Sequence, residues 1–283
     1  INRGYNLLSN PYPSTVSWDA ATRSDLEPTV WYRTHQGTQM LYDTYNATSS
    51  VGTNNNGGGA VTGEIAPTQA FWVQVPTDGL TGSVSFDNSM RSHGLLAGIY
   101  RMASIEGLVR MTLSNEMTSD ETIIQFNSDA QNVFEGYDSR KFWAGAVVPQ
   151  LYTTTGTDSL VINGLESVAT NPVVDLGVKL PTAGDYTFDA TEITLTEDVW
   201  LEDRLLNIFQ DLNLDATYDF TDNAGNIPTR FALHFGMSIT DIPSTDQFAA
   251  HVFASGNEVN ITLSEPIDGT AAVYDMAGKL IAT

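Results

Sequence analysis

The side chains best able to do chemistry in this 283-residue chain are its carboxylates and its aromatics. Asp120-Glu121 together with Asp138 could furnish a glycosidase-type pair, in which one group protonates the leaving oxygen and the other attacks or activates water. Such a pair needs a cleft and a defined separation, so the simpler reading has Asp120 and Asp138 shaping turns at strand ends. The histidines, His35, His93, His234 and His251, fall in no H-E-x-x-H or nucleophile-elbow pattern. His234 alternates with Phe231, Leu233 and Phe235, which predicts a solvent-side or interface imidazole on the opposite face of its strand. The run GTNNNGGG (52–59) opens no helix and therefore cannot cradle phosphate as a P-loop does. With no cysteine, the chain lacks thiolate nucleophiles, disulfides and cysteine-held zinc or iron–sulfur centres. The expectation is a chain that is not an enzyme.

Two further groups of residues bear on binding. From Asp185 to Asp222 there are eleven carboxylates and a single basic residue, Arg204. Glu197-Asp198 and Glu202-Asp203 flank the apolar strand residues Val199, Trp200 and Leu201, and these four acids are the candidate metal ligands, with calcium the one cofactor they suggest. Calcium needs 6–8 oxygens converging on one point, and DLNLDATYD (211–219) matches the EF-hand spacing only loosely, so a solvated acidic face is the favoured reading over a calcium site. Trp31, Tyr32, Tyr42 and Tyr45 cluster beside the Asn/Gly-rich segment 49–59, and Trp72 is expected opposite Phe71 and Val73 on its strand. These five are the candidate ligand-binding residues, because exposed aromatic faces stack on sugar rings. In a β-sandwich such residues are more often core or module-interface residues, which is the favoured reading.

The charge narrows the partners. Twelve basic against 34 acidic residues give a net charge of -22, which excludes nucleic acid because no basic patch exists to meet phosphates. No apolar run approaches the ~18–20 residues of a membrane-spanning helix. The start at Ile1, without methionine or a leader-like segment, is read as a mature product or a fragment.

These residues must be held by strands. LVRMTL (108–113), RFALHF (230–235) and VNITL (259–263) alternate with period two, and turn-rich segments separate many such runs. Helical pattern is confined to 203–212 and 119–122. The fold class is all-β, read as tandem β-sandwich (jelly-roll or Ig-like) modules. The divisions are a β-rich module over 1–90, a β-sandwich module over 91–236, a linker over 237–250 and a partial Ig-like unit over 251–283, below the size at which a domain stands alone. The Asn/Gly-rich segment is expected to be a mobile, exposed loop, and Asn10-Pro11-Tyr12-Pro13 a rigid turn.

Several segments carry a resemblance. GYNLLSNPYPSTVSWD (4–19), IAPTQAFWVQV (65–75), FDNSMRSH (86–93), DETIIQFNSDAQNVFEGYDSRK (120–141), LVINGL (160–165) and VWLEDRLLNIFQDLNLDATYDF (199–220) with RFALHF resemble β-rich modules near the C-termini of large exported proteins of Bacteroidota. The tail SGNEVNITLSEPIDGTAAVYDMAGKLI (255–281) resembles the start of the C-terminal sorting domain of type IX secretion cargo, carried by Gly256, Asn257, Val273, Tyr274, Asp275, Gly278 and Lys279. The resemblance implies a secreted or cell-surface protein that crosses the periplasm and outer membrane, with the type IX secretion machinery as partner. It implies a structural or adhesive stalk. A carbohydrate- or surface-binding adhesin module, meeting surface polysaccharide or another cell-surface protein, and an accessory region of a secreted hydrolase are the alternatives.

Overall fold

The computed structural model describes residues 4–57, 59–77, 79–92 and 105–237, together with the backbone of four strands between 250 and 282. The chain is all-β. It divides into two units, Ile1–Met237 and Ser238–Thr283.

The first unit opens with nine strands: β1 (Tyr5–Ser9), β2 (Val16–Ser17), β3 (Thr22–Ser24), β4 (Thr29–Gln36), β5 (Gln39–Asn46), β6 (Val51–Gly52), β7 (Glu64–Ile65), β8 (Ala70–Gln74) and β9 (Ser83–Ser85). Five of these form a sheet in the order β1-β8-β4-β5-β6, with every pairing antiparallel. The short ladders β2–β7 and β3–β9 accompany it. Its core joins Val30, Tyr32, Tyr45, Phe71 and Val73 of the sheet to Val16, Trp18, Ile65 and Met90. Asn10 secures the Asn-Pro-Tyr-Pro turn from inside. Its amide donates to the carbonyls of Ser14, Ile65 and Ala66, and its oxygen accepts from the Tyr12 N–H. A 3-10 turn, Asn88–Met90, is capped by the Asp87 carboxylate.

Eleven further strands follow: β10 (Leu108–Ser114), β11 (Ser119–Phe126), β12 (Ser139–Arg140), β13 (Gln150–Thr155), β14 (Asp158–Leu165), β15 (Val173–Leu180), β16 (Gly184–Ile193), β17 (Val199–Asp203), β18 (Ile208–Asp211), β19 (Thr217–Asp222) and β20 (Gly225–Phe235). They run in the order β18-β17-β20-β15-β13-β14-β11-β10-β16-β19, with β12 added alongside β14. The β11–β14 pairing is parallel. The long sheet folds over on itself, so that Phe188 of β16 and Phe220 of β19 meet Phe231 of β20 at ring-centroid separations of 4.9 and 4.6 Å. Alternate residues of both halves, among them Met111, Leu113, Leu176, Val178, Leu201 and Leu233, fill the space between.

The two stretches with helical pattern are strands. Residues 203–212 form the hairpin of β17 and β18, with Asn207 at positive φ in its turn, and 119–122 begin β11. In both places cross-strand pairing outweighs a local periodicity too short to sustain a helix.

In the second unit, β21 (Ala250–Ser255) pairs antiparallel with β22 (Glu258–Leu263), and β23 (Val273–Tyr274) with β24 (Leu280–Ala282). Val273 and Tyr274 lie in β23, whereas Gly256, Asn257, Asp275, Gly278 and Lys279 fall outside the described residues, as does most of 237–250.

Candidate functional site

The chemistry-bearing residues of the first unit converge on the seam where the five-stranded sheet meets the folded-over sheet. The reason is visible in β4. Its run Val30-Trp31-Tyr32 is buried throughout, the mark of a strand covered on both faces. Strand alternation sends Val30 and Tyr32 to the inner core and Trp31 to the opposite face, beside Trp72, its cross-strand partner. On that second face the Phe142 ring sits 4.3 Å from Tyr42, 4.9 Å from Tyr5, 5.8 Å from Trp72 and 6.2 Å from Trp31, measured between centroids. Phe142 is therefore the wedge that closes the seam.

Hydrogen bonds and ion pairs surround the wedge. The Trp31 indole N–H donates to the Arg140 carbonyl at 3.0 Å, and the Thr29 and Ser139 hydroxyls lie 2.8 Å apart. The Asn46 amide donates to the carbonyls of Gly136 and Asp138 and to the Ser139 hydroxyl. The Arg140 guanidinium pairs with Glu27 across the seam and with Asp158 on its own side. At the other end, Arg110 pairs with Glu121 at 2.5 Å and Glu192 at 3.0 Å, and donates to the Gly52 carbonyl. Val51, Leu108, Ile123, Val161 and Ile162 form a small apolar cluster there.

Burial sets the electrostatics. It pushes the Glu27 and Glu121 carboxyls up to about 7, with Arg140 and Arg110 offsetting only part of the desolvation. Asp138 is likewise raised to about 7 by burial, against the backbone N–H groups of Glu135 and Gly164 that its carboxylate accepts. Asp120 is buried against Lys141 and accepts the Leu151 N–H, and burial raises its carboxyl too.

These contacts decide the sequence candidates. Asp120 and Glu121 are consecutive in β11 and so point to opposite faces, Asp120 towards Lys141 and Glu121 towards Arg110. They cannot flank a common bond as an acid–base pair. Asp120 is not a turn-former but a buried acceptor of the Leu151 N–H, whereas Asp138 does close the turn before β12 by accepting the Glu135 N–H, and also accepts the Gly164 N–H from farther along the chain. The five candidate aromatics do not make one exposed platform. Tyr32 and Tyr45 belong to the inner core, and Trp31, Tyr42 and Trp72 lie under Phe142, because adjacent residues of a strand face opposite ways. The Asn/Gly-rich segment is bound into the seam at its start. Asp43 accepts from the Thr53 hydroxyl and the Asn55 N–H, Glu121 accepts the Asn54 N–H, and the Asn55 amide donates to the Tyr42 carbonyl. Polar residues there replace an apolar anchor, which is why composition alone read as exposed.

The four candidate metal ligands also separate. Glu202 and Asp203 alternate across β17: Asp203 is held by Arg230 and the Tyr218 hydroxyl, Glu202 by Arg204 and His234. Among the described residues, no group of three or more His, Cys, Asp or Glu is placed to hold a metal ion. His234 lies on the outer face, half-buried, with Nε2 2.9 Å from Glu202. The residues that sequence reasoning missed are Arg110, Arg140, Lys141 and Phe142. The available signal was three basic residues beside acids in a chain so poor in them, two of them in the run SRKF.

The geometry thus defines a class: an all-β protein in which a small two-faced sheet is bolted to a folded-over sandwich by a buried, polar and aromatic joint. The family described as a domain of unknown function (DUF8693) matches residues 1–235, and the chain belongs to that family. No curated protein and no solved structure matches it. Among the described residues, no helix is long and apolar enough to cross a membrane.

Proposed function

We propose that this chain is the non-catalytic, structural and adhesive region of an exported bacterial cell-surface or secreted protein, with a type IX sorting segment at its C-terminal end. One observation carries the structural part. The carboxylates and aromatics most able to do chemistry are engaged with one another in the seam, where they resist relative motion of the two sheets rather than face a substrate. A rigid pair of sheets is what a stalk or display module requires. The export part rests on the likeness of the tail to sorting domains. The reading has two measurements. The purified chain is expected to give no turnover on a panel of polysaccharides and peptides, and any turnover abolished by mutating Glu121 or Asp138 would overturn it. Protease treatment of intact cells making the full protein is expected to remove it from the surface or find it in the medium, and retention inside the cell would overturn the export part.

A further inference from the structure

One face of the sandwich carries an aromatic group that the seam does not use. Strands β13, β15 and β20 are neighbours, with Tyr152 opposite Gly177, Gln150 opposite Lys179 and Lys179 opposite Asn226. Leu151 and Val178, between these positions, point into the core, so Tyr152, Lys179 and Asn226 share the outer face. Across this face lies Trp143, 40% exposed, from the segment just past the Phe142 wedge.

Trp143 is held in place. The edge of its indole meets the Tyr152 ring at 5.3 Å and 74°. Tyr152 is fixed in turn, its hydroxyl donating to Asn226 Oδ1 at 2.8 Å and its ring lying over Gly177, where a Cβ would come within 2.3 Å of it. The segment after Trp143 is tied down by Ala144 N–H to Gln150 and Gly145 N–H to Met40. A large, rigid, half-exposed indole is a binding anchor that loses little conformational entropy on contact.

Charge selects the ligand. Residues 105–237 contain six basic residues, Arg110, Arg140, Lys141, Lys179, Arg204 and Arg230. Five are in ion pairs, whereas Lys179 is exposed and has no carboxylate partner among the described residues. Its ammonium lies over the Trp143 ring, 5.5 Å from the ring centre, a cation–π contact that leaves its N–H donors for a ligand at the ring. On a chain of net charge -22, this is a local cation beside an apolar plate. Asn226 Oδ1 already accepts from Tyr152, and the Lys179 ammonium and the Asn226 NH2 are donors on this face. Donors want an acceptor-rich ligand.

We propose that Trp143, Lys179 and Asn226 form a binding site for an acidic polysaccharide, with a pyranose ring stacked on the Trp143 indole and its carboxylate on Lys179. The site stands apart from the seam, so its failure leaves the stalk reading intact. The test is calorimetric titration of the full chain with alginate and polygalacturonate oligosaccharides, with dextran and cellohexaose as neutral counterparts. Binding is expected for a uronate, abolished in Trp143→Ala, weakened about tenfold in Lys179→Gln and reduced by added salt. An unchanged melting temperature in both variants shows that they fold. Failure to bind either uronate, equal binding of the neutral chains, or uronate binding that survives Trp143→Ala would overturn the proposal.

Discussion

Lys141 and Asp120 form an ion pair from which water is excluded: Nζ lies 2.5 Å from Oδ2, and the two side chains are 3% and 4% exposed. The pair closes one end of the sandwich core, where Asp120 also accepts the Leu151 N–H. Lys141→Met should therefore strand a buried carboxylate and cost about 3–5 kcal/mol. The double change Lys141→Met/Asp120→Leu should recover a good part of that loss. Urea unfolding of the three proteins checks both, and a loss below about 1 kcal/mol in the single variant would sink the argument.

Phe142 fills the seam between Tyr5, Trp31, Tyr42 and Trp72. Phe142 is half-buried, so Phe142→Ala should cost about 2–3 kcal/mol, below the range for an aromatic truncated in a full core. It should also uncouple the two sheets, so that calorimetry resolves two transitions in place of one. Tryptophan emission should shift to the red as Trp72 is wetted. A single, unshifted transition would contradict the role of the wedge.

The seam predicts an uncommon pH dependence. Glu27, Glu121 and Asp138 sit at about 7 in the folded chain, against about 4 when unfolded. Between those values the folded state binds more protons, so stability is greatest towards the acid end of the window and declines as pH rises through about 7. Asp203 works the other way. Burial would raise it, but the bonds from Arg230 and Tyr218 outweigh burial and hold it below the usual carboxylate range. Its contribution is present above that range and lost as pH falls through its depressed value. The melting temperature should then be higher at pH 5.5 than at pH 8 and fall again in stronger acid. Glu121→Gln, which keeps the shape, should shrink the difference; a melting temperature that rises steadily to pH 8 would refute the assignment.

Gly177 is required by contact rather than by backbone conformation, since the Tyr152 ring occupies the space of its missing side chain. Gly177→Ala should displace that ring and destabilise by about 1–3 kcal/mol. Combined with Tyr152→Ala, the added methyl should cost nothing further. Equal penalties for Gly177→Ala in the presence and absence of the ring would show that the strand itself resists the substitution.

Calcium should not stabilise the fold, because β17 sends Glu202 and Asp203 to opposite faces and both are already engaged. Millimolar calcium is expected to move the melting temperature by less than about 1 °C. A shift of several degrees that disappears in Glu202→Gln would reverse this.

The strands were legible in the sequence because period two is a local signal. Leu108–Ser114 and Gly225–Phe235 contain the alternating runs, with buried Met111, Leu113, Phe231 and Leu233 facing one core. What lay beyond reach was the second face of the small sheet. That Trp31 and Trp72 pack at an interface was the favoured reading of their type, but what covers them was out of reach, because Phe142 is some 70 positions or more away in the chain. The roles of Asp120 and Glu121 were hidden for a different reason: Lys141 and Arg110 lie only 21 and 11 positions away, but which charges meet is set by strand pairing. Trp143 was equally hidden, since its exposure follows from how its neighbour Phe142 is used.

The seam also dictates an order of events during synthesis. Glu27, Thr29 and Trp31 meet partners 113, 110 and 109 residues later in the chain. The last strand of the small sheet, β8, ends at Gln74, so at about 5–20 residues per second the sheet is made roughly 3–14 s before Phe142, which covers it, exists. That covering segment lies within the crossover between the parallel strands β11 and β14, so it is set in place only when a long loop has closed. Throughout the interval the face bearing Trp31, Tyr42 and Trp72 is open to water and to other nascent chains, an apolar patch on which incomplete chains can stick to one another.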